Sequence, residues 1–218
     1  SGGGQIYVTE GWKSAHGSVD YYNACSNEPF PNFGVPINLG GVQQAADEHA
    51  YAFVGCYSDY YADAREYLWV ELPIGLEMNQ MYRLNLQVSL KDSMNFAVSK
   101  IGAYLSINDT RFLDSEDYFE FEPQVESNWL LDDKENWTII SDTLIATGGE
   151  KYLTIGNFHR DSEMGFERIS NNPLTNFFWD ESGYYIDAIE LYEDNSIGIG
   201  KTKTEELAVM VDTFRPLQ

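Results

Sequence analysis

The feature that most constrains this chain is a strict alternation of apolar and polar residues over residues 82–90. A helix repeats every 3.6 residues and would scatter both sets around its surface, whereas a strand repeats every two residues and separates them. The stretch therefore predicts a β-strand with one buried face. The apolar set is Tyr82, Leu84, Leu86, Val88 and Leu90, and the polar set is Arg83, Asn85, Gln87 and Ser89.

Similar strand signals recur along the chain and are separated by turn residues. Further strands are predicted at residues 49–57, 66–72, 101–107, 137–146, 151–158 and 184–192, with weaker candidates at 118–125 and 207–214. Gly148 and Gly149 predict a hairpin-type turn between two of them. Because long amphipathic helices are absent from the pattern, regularly spaced strands favour an all-β sandwich over a sheet alternating with helices.

The domain organisation follows from where these strand signals stop. Residues 1–192 are predicted to form one sandwich, and residues 193–218 a linker followed by one added strand that leads toward another domain of a larger protein. Three long loops, at residues 24–47, 107–118 and 159–183, are candidates for function, because long loops in compact domains often carry it.

The charge of the chain excludes several classes of partner. With 35 acidic and 13 basic residues, the formal net charge is −22. Such a field repels nucleic acid and anionic membrane surfaces. The chain contains no run of 18 apolar residues, so the sequence predicts no membrane-spanning helix. A solvated acidic surface, a bound cation or a cationic partner all fit this charge.

Several stretches together resemble a secreted domain family of Bacteroidetes that is found beside OmpA-like domains. Their order and spacing carry the resemblance over about residues 11–192. Matching stretches begin with Gly11-Trp12 and residues 19–25, and the clearest are Glu135-Asn136-Trp137, residues 148–158 and residues 184–189.

This family is similar to galactose-binding-like jelly rolls, the fold of many carbohydrate-binding modules. The resemblance implies a jelly-roll β-sandwich of two antiparallel sheets with little helix, a secreted or cell-surface location and glycan binding. It also implies a structural calcium ion at Asp187, with Asp20 in an early matching motif as a further ligand. The sequence departs from the family in two places: it begins after the family's opening strand with its Glu, or lacks it, and it carries Ala188 after Asp187. The residue-based alternative for Asp187 is a carboxylate bonded to the backbone at a strand bulge.

Two clusters of aromatic residues predict a ligand site, because glycan sites combine flat rings with a few polar groups. The alternative is that the same rings simply cover the ends of the sandwich. The predicted ligand-binding residues are Tyr57, Asp59, Tyr60, Tyr61, Asp63 and Arg65 in one loop, and Phe178 and Trp179 in another.

The two cysteines, Cys25 and Cys56, fit either a disulfide or two free thiols. Motifs of the common catalytic centres are missing, including the nucleophile elbow, the His-Glu-x-x-His helix and the phosphate-binding loop. Glu120 and Glu122 share a predicted strand face and are the weak basis for a glycosidase alternative.

The sequence thus predicts a non-catalytic carbohydrate-binding or adhesion module without an enzyme function. One alternative is a structural or protein-interaction domain of the cell envelope, whose last strand could pair with a partner's sheet edge. A glycoside hydrolase or lyase with the same sandwich shape is the third hypothesis.

Overall fold

The computed structural model describes residues 5–9, 11–26, 32–112, 118–171, 180–194 and 208–209. The only helical elements among these residues are two short 3-10 helices, Gln5–Val8 and Thr110–Phe112. The strands of the described part are β1 (Lys13–His16), β2 (Asp20–Asn23), β3 (Ile37–Asn38), β4 (Gly41–Val42), β5 (Ala50–Ser58), β6 (Tyr67–Glu71), β7 (Met81–Leu90), β8 (Phe96–Val98), β9 (Ile101–Ser106), β10 (Val125–Glu126), β11 (Thr138–Ile145), β12 (Tyr152–Asn157), β13 (Phe166–Arg168), β14 (Glu181–Glu193) and β15 (Ala208–Val209).

Two large antiparallel sheets form the sandwich. One has the strand order β1-β6-β12-β9-β10, and the other has the order β11-β7-β14-β5-β2 with β15 beside β14. Two short pairs, β3 with β4 and β8 with β13, lie outside these sheets. The predicted fold class, an all-β jelly-roll sandwich of two antiparallel sheets with little helix, is confirmed.

The core lies between the two sheets, and β7 shows why the sequence specifies it. All its predicted apolar positions are buried, while Arg83, Asn85 and Gln87 on its other face are only partly buried. The five-stranded sheet contributes Leu68 and Leu153 from the opposite side. Burying one face of each sheet removes a continuous apolar surface from water, which is the main favourable term in folding.

The outer face of the five-stranded sheet is also covered. Tyr67 and Trp69, on the predicted outer side of β6, are buried. Part of their cover comes from the residues directly after the second long loop, where the backbone N–H of Phe119 donates to the Tyr67 hydroxyl at 2.9 Å. The sequence pattern predicts one buried face for β6, but here both faces are buried.

The turn after β11 differs from the prediction. Gly148 and Gly149 do adopt positive φ angles, of 101° and 89°. However, β11 pairs with β7 in one sheet, and β12 pairs with β6 and β9 in the other. The predicted hairpin is therefore wrong, and the turn carries the chain from one sheet to the other. The buried Glu150 carboxylate holds this bend by accepting from the backbone N–H groups of Thr147 and Gly148.

The added strand near the C-terminus pairs with the sandwich itself. Ala208 and Val209 lie opposite Tyr192 and Leu191 of β14. The domain boundary at residue 192 stays a prediction. No helix in the described ranges is long and apolar enough to cross a membrane.

Candidate binding surface at the end of β5

The predicted ligand loop begins where β5 ends. Ser58 is the last residue of β5 and lies opposite Glu181, the first residue of β14. The backbone N–H of Asp59 then donates to the carbonyl of Asp180 at 2.9 Å. The loop that follows is therefore fixed to the start of β14.

Tyr57 is buried rather than presented to a ligand. Its ring stacks on Phe166 with centroids 4.8 Å apart, and meets the edge of Phe96 at 5.0 Å. Its hydroxyl lies 3.4 Å from the Asp59 carboxylate. The structure corrects the predicted ligand-binding role of Tyr57, because its ring is covered by the more exposed ring of Phe166.

Arg65 also has a different role from the predicted one. Its side chain is fully buried and forms an ion pair with Asp161 at 2.7 Å. The same guanidinium donates to the carbonyls of Ala64 and His159 at 2.9 and 2.8 Å. With these partners inside the protein, Arg65 connects the loop to the segment after β12 and is withdrawn from the ligand set.

Asp63 takes part in the same connection. Its backbone N–H donates to the Asp161 carboxylate at 3.0 Å, and its own carboxylate accepts from the Asp161 backbone N–H at 2.8 Å. Asp63 has a φ of 58°, a left-handed conformation that Asp tolerates better than most residues. This reciprocal pairing gives Asp63 a structural role in the loop, and its ligand role stays a prediction.

The remaining predicted residues of the loop are exposed. Tyr60 and Tyr61 are 65% and 52% exposed, and their rings meet edge to face at 4.7 Å. Asp59, which precedes them, is exposed as well. Phe178 and Trp179 lie outside the described residues, directly before Asp180 in the sequence.

The sequence analysis missed three residues at this place. Phe166, on β13, is 46% exposed although its ring stacks on Tyr57. Arg168 forms an ion pair with Asp180, which lowers the pKa of that carboxyl, and its guanidinium lies 4.4 Å from the Phe96 ring centre. We define the loop-end surface as Asp59, Tyr60, Tyr61, Phe166, Arg168 and Asp180.

Asp187 is held by the backbone. Its carboxylate accepts from the backbone N–H groups of Ala46 and Asp47 at 2.7 and 3.1 Å, and from that of Ala188 at 2.8 Å. It sits where the β14–β7 register shifts, so the bulge alternative describes it correctly. Burial raises the pKa of this carboxyl to about 7, although the three N–H donors act in the opposite direction.

The donor set around Asp187 does not fit calcium, which takes six to eight oxygen ligands. Asp20 lies on β2, which is separated from β14 by β5. Within the described ranges, no group of three or more His, Cys, Asp or Glu side chains could hold a metal ion. Calcium binding stays a prediction, and no step below depends on it.

Of the two alternatives for the cysteines, the structure shows free thiols at both positions. In the antiparallel pair of β2 and β5, Asn23 lies opposite Ala50. Cys25 follows Asn23 by two residues, whereas Cys56 lies six residues from Ala50 toward the other end of the strand pair. At about 3.3 Å per residue their separation is roughly 20 Å or more, whereas a disulfide needs Cα atoms within about 7 Å. Cys25 is exposed and Cys56 is buried in the core.

Comparisons with known proteins find similarity at the level of structure. No protein-family model matches the chain, and no curated protein sequence matches it. The chain is similar to the CBM22-1 xylan-binding domain of Xyn10C from Paenibacillus barcinonensis, at 13% identity, with 85% of this chain and 87% of that chain covered and a TM-score of 0.45.

Two further solved structures are similar to it. One is described as CBM4, with 10% identity, coverage of 84% and 95%, and a TM-score of 0.40. The other is the K3 cleaved adhesin domain of Lys-gingipain from Porphyromonas gingivalis, with 13% identity, coverage of 82% and 91%, and a TM-score of 0.38. Because these identities and scores are low, we infer function from this chain's own side chains.

Proposed function

We propose that this chain is a non-catalytic carbohydrate-binding or adhesion module, and that it binds a polysaccharide or other glycan through the loop-end surface. The observation that carries the proposal is the exposure of three aromatic side chains there, Tyr60, Tyr61 and Phe166. Rings of this size normally contribute large buried areas, and exposed apolar groups rimmed by polar residues mark a site for a partner. The module would belong to a larger secreted or cell-surface protein of a bacterium, as the resemblance to the Bacteroidetes family implies.

The chemistry of the surface suits a sugar. A pyranose ring presents C–H groups on its faces and hydroxyls around its rim, so it is matched by an apolar ring beside hydrogen-bonding groups. Asp59 accepts hydrogen bonds from hydroxyls, and the Arg168–Asp180 pair offers a donor and an acceptor at fixed positions. Because these two side chains already hold one another, they lose little freedom when a ligand binds.

The direct test is binding of the purified domain to a panel of soluble oligosaccharides and insoluble polysaccharides. Saturable binding to one class is expected. Tyr60→Ala and Tyr61→Ala should each weaken binding by about tenfold, the effect of removing about 1.4 kcal/mol of contact. Both residues are exposed, so their loss should leave the free energy of unfolding within about 0.5 kcal/mol of the wild type.

Tyr7→Ala is the matched control. Tyr7 is 64% exposed, close to the value for Tyr60, and lies in the first 3-10 helix, outside the loop-end surface. Its replacement should leave affinity unchanged. Unchanged affinity in both Tyr60 and Tyr61 variants would remove the site assignment. Repeating the measurement with calcium and then with a chelator tests the calcium prediction at the same time.

A second candidate function, docking to a protein neighbour in the cell envelope, is favoured by the β3–β4 hairpin. Ile37, Leu39 and Val42 are all exposed, whereas Asn38 between them points inward and binds the hydroxyls of Tyr51 and Tyr185. Aliphatic side chains offer nothing to sugar hydroxyls but suit an apolar protein pocket. Replacing the three by Ser should abolish docking to a purified neighbour and leave glycan affinity intact, and the reverse result would contradict this candidate.

A further inference from the structure

A second concave site lies at the other end of the sandwich. The loop-end surface is next to Ser58 and Glu181, at the start of β14. At the far end of β14, Glu193 lies opposite Tyr82, which in turn lies opposite Leu144 of β11. Leu144 and Ile145 line a cleft of about 410 Å³ there, a volume within the usual range of ligand sites. The two surfaces are therefore separated by the length of the six-stranded sheet.

Six apolar side chains line this cleft: Tyr104, Leu105, Ile107, Phe121, Leu144 and Ile145. Tyr104 and Phe121 are stacked with centroids 4.4 Å apart and an angle of 13° between the rings. Ile107 and Ile145, from the ends of two different sheets, are 57% and 63% exposed and line the same cleft. Covering these exposed aliphatic side chains with the apolar face of a ligand removes apolar surface from water, which favours binding in the cleft.

The polar part of the cleft is acidic and neutral. Asp109 and Glu150 both line it, together with the amide of Asn108. Hydrogen bonds from Arg111 lower the pKa of Asp109. Burial acts to raise the pKa of Glu150, but hydrogen bonds from Thr147 and the local backbone outweigh it, so that pKa is lowered too. Both groups are therefore ionised at neutral pH, but Glu150 is buried and its two oxygens already accept from Thr147 and Gly148. Asp109, whose carboxylate is paired with Arg111 at 2.6 Å, is the carboxylate that can meet a ligand in the cleft.

We propose that this cleft is a second glycan site, specific for neutral or amino sugars, in which the apolar walls cover a pyranose face and Asn108 and Asp109 form hydrogen bonds with its hydroxyls. Uronates and sulfated sugars are excluded, because a charged sugar would meet Asp109, whose neighbouring cation Arg111 is already engaged with it, and the negative field of a chain with net charge −22. The proposal deepens the proposed function and rests on it, but it concerns different residues.

The test is mapping by amide chemical shifts, with cellohexaose and chitosan hexamer as the neutral and amino-sugar probes and hexagalacturonate as the anionic one. Shifts are expected at residues 106–110 and 145–150 with the first two probes only. Ile145→Ala should weaken that binding by about tenfold. Ile139→Ala is the matched control, since Ile139 lies on the same strand, is 59% exposed and does not line the cleft.

The outcomes separate the two proposals. Shifts confined to the neighbourhood of Tyr60 and Tyr61 would overturn the second site while supporting the proposed function. Shifts at residues 145–150 that disappear in Ile145→Ala but persist in Tyr60→Ala support the second site, whatever happens at the loop-end surface. Absence of shifts in the cleft with both neutral and amino-sugar probes, or equal binding of hexagalacturonate, would overturn it.

Discussion

Replacing Arg65 by Ala should unfold the domain more easily without touching a ligand. The side chain of Arg65 is fully buried, and it pairs with Asp161 and with the carbonyls of Ala64 and His159. Its removal takes the cation away from Asp161, which keeps the Asp63 backbone N–H as a donor, and takes the Arg65 donors away from the two carbonyls. Breaking a buried ion pair typically costs about 3–5 kcal/mol, because the remaining charge stays buried and unpaired.

The lower end of that range applies here, because the Asp161 side chain is 24% exposed and water can reach it. We therefore expect a loss of about 3 kcal/mol in the free energy of unfolding, which corresponds to a fall of roughly 6–12 °C in Tm for a domain of this size. Urea titration followed by tryptophan fluorescence and by far-ultraviolet circular dichroism measures it, and coincidence of the two curves checks two-state behaviour.

Arg160→Ala is the control on the neighbouring segment. Arg160 is half exposed and lies 3.4 Å from the Asp63 carboxylate. Exposed pairs of this kind contribute at most about 1 kcal/mol, so the control should change stability little. If Arg65→Ala kept the stability of the wild type and lost glycan affinity instead, Arg65 would be a ligand contact and the reasoning above would be refuted.

Two further predictions concern buried groups. Burial raises the pKa of the Asp187 carboxyl to about 7 in the folded state, whereas the unfolded state releases this proton above about pH 4. The free energy of unfolding should therefore fall as the pH rises from about 4 to 7, by up to roughly 4 kcal/mol. Asp187→Asn should remove that part of the pH dependence, and identical slopes in the two proteins would contradict it. Burial also raises the pKa of the Cys56 thiol to about 12, so a thiol reagent should modify Cys25 alone in the native protein and both cysteines in urea. Modification of neither cysteine in urea without reductant would indicate the disulfide after all.

The strands could be predicted because their signal is local. In β7 the period of two is complete, and every apolar position predicted to be buried is buried. What covers the outer faces could not be predicted in this way. Tyr67 is buried partly by Phe119, which is 52 residues away in sequence, and no pattern within β6 contains that contact. The same holds for the turn after β11, where Gly148 and Gly149 fit a hairpin and a change of sheet equally well.

The point where β5 ends separates the buried from the exposed tyrosines of the predicted site, and the ligand roles of the exposed ones stay predictions. Tyr57 belongs to the strand and is covered by Phe166, whereas Tyr60 and Tyr61 come after Ser58, where the ladder with β14 has finished. The sequence around the three tyrosines does not distinguish them. Their burial depends on where β5 ends and on the ring of Phe166, which is 109 residues further along the chain than Tyr57. Arg65 stands just before β6, where an Arg can be a ligand contact or the buried partner of an acid, and Asp161, which is distant in sequence, supplies that acid in this fold. The exposed rings beyond the end of β5 are therefore the part of the predicted site on which the glycan proposal stands.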